Sequence, residues 1–207
     1  MTDIIISSIQ NPKIKQLLLL QQKSSERRKQ NLFVVEGQRE LEHCLESHYD
    51  IDTIYYCSEI NDAKLLKREL QSTNFYDVSA TVYEKIAYRG STEGIIALVR
   101  PKRHSLKELE HIENPLYVVL EKVEKPGNLG AIMRSADAAC VDAVIICDPL
   151  TDIYNPNLIR SSIGAIFSVP CIACTSEECI AWLKKHGIQI LTAQLQDSKL
   201  YYDMPMT

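Results

Sequence analysis

This sequence predicts an α/β fold in two consecutive units, and three observations point to it. Short apolar runs alternate with amphipathic stretches along the whole chain. The cluster Arg100-Pro101-Lys102-Arg103-His104 interrupts that alternation near the middle, where a proline among charges marks a boundary. Beyond it, runs such as LYVVL at 116–120 are apolar throughout, as strands covered on both faces are. The 207 residues are enough for one large domain or two small ones. The expected division is 1–103, a linker at 104–114, and 115–207.

In the first unit, residues 13–30 read as one polar, basic helix with Leu17, Leu18 and Leu20 on its apolar side. Residues 32–35 form a short strand. The stretch 36–47 is amphipathic, with Leu41, Cys44 and Leu45 on one face. A strand at 53–57, a helix at 62–70 and a strand at 75–78 follow. Ser79 then caps a helix reaching residue 87, and 95–99 is an apolar strand. Together these make an α/β/α unit. A short helix at 106–112 leads to the second unit. Its expected strands are 116–120, 143–147, 165–169 and 188–193, and its helices 131–140, 156–163 and 176–186. Gly187 stops the last helix. With only a few residues after the fourth strand, the second unit reads as an incomplete sheet.

Composition narrows the class. Forty-five per cent hydrophobic and 24% charged residues are ordinary for a globular protein, and no run approaches the ~18 apolar residues of a membrane span. The N-terminus lacks the pattern of a signal peptide, so a cytoplasmic location is expected. Seven cysteines show no disulfide framework, and Cys44, Cys57, Cys140 and Cys147 read as small core residues. Cys171-x-x-Cys174, with Cys179 and His186 downstream, resembles zinc-ligand spacing. Positions three apart on a strand face opposite ways, however, and no metal site is expected. None of the five histidines has a paired spacing.

The formal net charge of −4 hides an asymmetry. Residues 11–39 hold Lys13, Lys15, Lys23, Arg27, Arg28, Lys29 and Arg39 against Glu26 and Glu36, a balance of +5 that leaves −9 for the rest. A local basic patch on an acidic protein suits a phosphate-bearing partner; a solvated helix face is the plainer alternative.

The segment 121–139, EKVEKPGNLGAIMRSADAA, carries the chemistry. It follows a strand, breaks at Pro126-Gly127-Asn128, and continues from Gly130 as a helix of small residues. A helix start after a strand presents backbone N–H groups to an anion. Asn128 suits either a site or an N-cap. Arg134 suits phosphate binding, oxyanion stabilisation or activation of a hydroxyl, or else an ion pair with Asp137 or Glu121. Asn155-Pro156-Asn157 and Arg160 make a second polar helix start, where Arg160 binds phosphate or only solvates its helix. Asp148 follows a strand where a ribose-binding acid would stand, although Asp-Pro also begins a turn.

The motif PGNLGAIMRSADAA at 126–139 closely resembles the first motif of the SpoU (TrmH) family of RNA ribose 2′-O-methyltransferases. NPNLIRSSIGAIF at 155–167 resembles the segment ahead of that family's third strand. IQNPKIK at 9–15, FVVEGQR at 33–39 and STEGIIA at 91–97 are similar to its RNA substrate-binding domain. The resemblance implies a small N-terminal α/β/α RNA-binding domain followed by a SPOUT-type parallel-sheet domain with a trefoil knot. It implies S-adenosylmethionine as methyl donor, a transfer or ribosomal RNA ribose 2′-hydroxyl as acceptor, and a homodimer. It places Asn128 and Arg134 as the active-site pair. It places Glu36 and Arg39 on the RNA-facing side, with Lys13, Lys15, Arg27, Arg28 and Arg160 as further RNA contacts. Thr192, Ala193, Gln194 and Leu195 would lie beside the cofactor.

The sequence departs from the family at Glu93, Glu121 and Lys125, and it lacks the family's second and third motifs, which make most of the cofactor pocket. The chain by itself is therefore expected to be inactive. The alternatives are a non-catalytic RNA-binding module and, more distantly, a nucleotide-dependent enzyme using Asp148.

Overall fold

The first helix begins where an Asn-Pro pair stands. In the computed structural model, which describes residues 5–88 and 93–193 together with Leu200 and Asp203, the Asn11 side chain accepts from the Lys13 amide at 2.9 Å. Pro12 fills the first helical position, where no N–H is needed. Helix α1 (Pro12–Gln22) buries Ile14, Leu17 and Leu20. The single helix expected over 13–30 is two, because Lys23 is extended (φ −117°, ψ 114°) and separates α1 from α2 (Ser24–Gln30). That break turns Arg27 inward.

Strand β1 (Phe33–Glu36), helix α3 (Gln38–Glu46), strand β2 (Ile51–Tyr56), helix α4 (Lys64–Glu69), strand β3 (Asn74–Asp77), helix α5 (Ala80–Ile86) and strand β4 (Ile95–Val99) complete the first unit. Ser79 caps α5 as read, accepting from the Val82 amide. The strand order is β1-β4-β2-β3. Strand β4, last in the chain, lies antiparallel between β1 and β2, whereas β2 and β3 run parallel. The two-residue period splits the core. Val34, Tyr55, Ile96 and Leu98 pack on Leu17, Leu20, Val82 and Ile86. Val35, Ile54, Ala97 and Val99 pack on Leu41 and Cys44.

The second unit opens with a 3-10 turn at Leu106–Leu109, started by a Ser105–Glu108 capping box. It continues with strand β5 (Tyr117–Glu121), helix α6 (Pro126–Ala138), strand β6 (Ala143–Cys147), helix α7 (Pro156–Ser162), helix α8 (Ala165–Ser168), strand β7 (Cys171–Cys174) and helix α9 (Ser176–Lys185). The sheet is parallel in the order β5-β6-β7.

Two expected strands differ. Residues 165–168 are helical, because Gly164 at φ +89° starts a turn of helix. The strand begins only after Pro170, whose carbonyl accepts from the Val144 amide. Residues 188–193 have no regular structure, and Ile190 and Leu191 are exposed. A strand exists only through a ladder partner, and among the described residues this segment has none. Cys140, read as core, is exposed at the end of α6.

The units share one core. Phe33 of β1 stacks on Tyr154 with ring centroids 4.2 Å apart, and Tyr49 meets Phe167 edge-on at 5.3 Å. Arg27 Nε donates to Asp152 Oδ2 at 2.6 Å across the same junction. Gly164 lies so close to His43 that an added Cβ would stand 2.2 Å from the ring. Among the described residues no helix is long and apolar enough to cross a membrane.

Candidate active site and RNA-facing surface

Helix α6 starts at Pro126, four residues before the expected Gly130. Asn128 is therefore inside the first turn and is not the N-cap; that position belongs to Lys125. The helix is set down on α7 at Gly130. A Cβ there would lie 1.9 Å from Ser161 Oγ and 2.9 Å from the Ser161 carbonyl carbon, so only glycine permits this approach. Leu129, Gly130, Met133 and Ala136 are buried. Asn128 and Arg134 are on the exposed side, about 120° apart around the helix, with Gly127, Ala131 and Ala138 between them.

Arg134 has no carboxylate partner among the described residues. Asp137 accepts instead from Ser168 Oγ at 2.8 Å. Glu121 lies near Ser176 Oγ and Lys122 Nζ. The ion-pair explanation for Arg134 therefore falls away. What remains is an exposed guanidinium on a helix whose outer face is cleared by small side chains. It suits a phosphate or a hydroxyl approaching from solvent.

A second group assembles at the junction of the units. Glu36, Gly37, Arg39, Tyr88, Pro156, Ile159 and Arg160 line a cavity of about 230 Å³. The Arg160 guanidinium lies 4.2 Å over the Tyr88 ring and donates to Asn157 Oδ1 at 2.9 Å. Glu36 Oε1 accepts from the Tyr88 amide at 3.0 Å. Burial pushes the Glu36 carboxyl pKa up, with the Tyr88 N–H and Arg160 opposing. Arg39 pairs with Glu40 at 2.7 Å. Glu36, Arg39 and Arg160, which the sequence read as RNA-facing, thus share one cavity. Tyr88 was not foreseen, and a lone tyrosine just past a helix gave no signal.

The basic helix divides differently from the sequence reading. Lys15 and Arg28 are exposed. Lys13 lies 4.1 Å over the Tyr76 ring and donates to its hydroxyl at 2.6 Å. Arg27 is less open than its neighbours. It is 5% exposed, and its guanidinium donates to Asp152, to the Leu20 carbonyl at 2.6 Å and to the Gln21 carbonyl at 3.2 Å. With those bonds made, Arg27 ties the two units together, at the edge of a cavity it shares with Arg28. Lys102, Arg103 and His104, read only as a boundary, join Arg28 around a second cavity of about 470 Å³. Their charge run after Pro101 was the available signal.

The remaining candidates are placed as follows. Thr192 and Ala193 are exposed and line neither of these cavities, while Gln194 and Leu195 lie outside the described residues. Asp148 accepts from Ser176 Oγ at 2.6 Å and from the Ser176 amide at 3.3 Å, so it is tied to the first residue of α9, which Thr175 caps, and is not held open for a ribose. Cys171 and Cys174 face opposite sides of β7, as the strand period requires: Cys171 joins the shared core and Cys174 the opposite cluster. His186 packs on Trp182 at 4.4 Å, away from ligand duty.

Two family models match this chain. The MRM3-like substrate binding domain matches residues 11–97, and the SpoU rRNA Methylase family matches residues 115–207. The 23S rRNA (guanosine(2553)-2′-O)-methyltransferase RlmP of Bacillus subtilis is 27% identical over 98% of this chain and 78% of its own length. The 23S rRNA (guanosine-2′-O-)-methyltransferase RlmB of Photorhabdus laumondii is 38% identical over 53% of this chain and 48% of its own. The chain thus spans between about half and four-fifths of these relatives. A solved RNA 2′-O ribose methyltransferase is 34% identical with a TM-score of 0.72, over 89% of this chain and 70% of that one. An rRNA methyltransferase from Sinorhizobium meliloti, at 24% identity and a TM-score of 0.88, shares the fold over 99% of this chain.

Proposed function

Because the chain belongs to the SpoU family of RNA methyltransferases, we propose that it serves methyl transfer from S-adenosylmethionine to a ribose 2′-hydroxyl of RNA, with ribosomal RNA as the substrate class. The observation that carries this reading is Arg134. It is exposed, unpaired among the described residues, and borne on a helix whose outer face is kept clear by Gly127, Ala131 and Ala138. A guanidinium beside a ribose stabilises the oxygen as its proton leaves, or fixes the adjoining phosphate, and so aligns the nucleophile. Asn128, on the same exposed side, offers one acceptor and two donors to the sugar.

The donor supplies an electrophilic methyl group. From the motifs that the sequence lacks, this chain alone is expected neither to hold the donor tightly nor to methylate RNA, and calorimetric titration checks it. RNA is held by the first unit and the junction: Lys15, Arg28, Lys102 and Arg103 supply phosphate contacts, and Glu36, Arg39 and Arg160 line the cavity at the start of α7. A homodimer and a cytoplasmic location accompany this reading, and sedimentation tests the first.

The test is Arg134→Ala in a version of the protein that transfers methyl groups. It lowers kcat by about 10²- to 10³-fold, the usual loss for a group that stabilises developing negative charge. RNA affinity and the melting curve stay unchanged. Retained turnover removes Arg134 from the chemistry. If no version transfers methyl yet RNA binding persists with a steep salt dependence, the protein is an RNA-binding module instead.

A further inference from the structure

Two of the cysteines in the zinc-like spacing, Cys174 and Cys179, meet a third, Cys147, on the side of the second sheet away from the first unit. Cys147 closes β6, Cys174 closes β7 directly opposite it in the ladder, and Cys179 stands in the first half of α9. Their sulfur atoms all lie within 4.8 Å of one another. Cys147 and Cys179 are buried among Leu109, Ala143, Ile145, Ile172 and Leu183, and Cys174 is half-buried, so the cluster opens on one side.

We propose that Cys147, Cys174 and Cys179 form a binding site for a thiophilic cation, zinc above all, with a water molecule in the fourth position on the open side at Cys174.

Geometry supports this. Zinc–sulfur bonds of about 2.3 Å set tetrahedral sulfur atoms about 3.8 Å apart. The cluster needs to contract by no more than about 1 Å, within reach of small χ1 adjustments. The ligands come from three elements, so the backbone already brings them together. The charges around the cluster support it as well. The charged groups at the rim are Asp148 and Glu178, with Lys122 facing Asp148. Two carboxylates favour entry of a cation over an anion.

Binding would release three protons to solvent, replace three S–H groups by three thiolate–metal bonds, and leave a complex of charge −1. Its effect would be structural, pinning α9 to the ends of β6 and β7. This site is independent of the RNA chemistry.

Cobalt titration of the reduced protein tests the proposal. One equivalent of Co²⁺ should give a thiolate-to-cobalt charge-transfer band, and one equivalent of Zn²⁺ should abolish it. Cys174→Ser should weaken Zn²⁺ binding on the order of 100-fold, as loss of one ligand of three does to a structural site. Cys140→Ser, at an exposed cysteine outside the cluster, should change nothing. Alkylation read by mass spectrometry gives a second measure on the unsubstituted protein, with zinc protecting Cys174 but not Cys140. No charge-transfer band, a band of unchanged intensity and affinity in Cys174→Ser, or equal labelling of Cys174 with and without zinc overturns it.

Discussion

The two sheets of this protein start from similar strands and end differently. AVIIC at Ala143–Cys147 is buried at every position, whereas YVVLE at Tyr117–Glu121 alternates and leaves Val119 44% exposed. Both are strongly apolar in sequence. The difference is position: β6 is paired on both sides and β5 on one among the described residues. The first sheet shows the same rule. Strand β4 is last in its unit yet central in its sheet, and it is wholly buried. Edge strand β1 is buried as well, because helices α1, α3 and α7 pack on it, so burial follows ladder position and what covers each face, which hydrophobicity alone does not encode.

The largest test of this comparison is at the seam. Phe33 belongs to the first sheet but stacks on Tyr154 and Phe167 of the second unit. Phe33→Ala should cost about 4 kcal/mol in urea unfolding. Because the core is shared, fluorescence and circular dichroism should report one coincident transition. Two separated transitions would show that the sheets are independent domains after all.

A paired substitution sharpens the contrast within the second sheet. Ile145→Ala, at a fully buried site on β6, should destabilise by about 3 kcal/mol, and Val119→Ala on β5 by about 0.5 kcal/mol or less. Comparable costs would mean that the exposed face of β5 is covered in solution.

The smallest effect concerns the ends of the strands. The Ser176 hydroxyl holds the Asp148 carboxyl below its usual pKa. A folded-state pKa below the unfolded one contributes stability that is present above the unfolded value of 3.8 and lost as pH falls through the depressed folded value. Ser176→Ala should bring the Asp148 pKa back up in an NMR titration and flatten this part of the acid limb. The first sheet should be unaffected.

Much of this was legible in the chain. The alternation of apolar runs located most elements, and 95–99 came out at its exact bounds. Ser79 and Gly187 worked as helix signals because capping chemistry is local. The helix over 165–168 was missed because its residues are apolar and short, where period cannot separate helix from strand. The strand at 188–193 was over-read, since apolar character does not supply a partner. At the site, the motif identified Asn128 and Arg134, but only the packing showed Arg134 unpaired. Arg27 looked like one more cation in a basic run. Its burial against Asp152 came from a residue far along the chain, which no local pattern carries.

The sequence by itself determined the α/β class, most of the helices and strands, the basic patch and the motif that identifies the family. Those depend on periodicity, capping and spacing, which act over a few residues. The tertiary structure decided which apolar strand is covered and that the two units share a core. It also decided that Glu36, Arg39 and Arg160 line one cavity and that Cys147 meets Cys174 and Cys179. Those depend on contacts between residues distant in the chain, which form only when the elements pack.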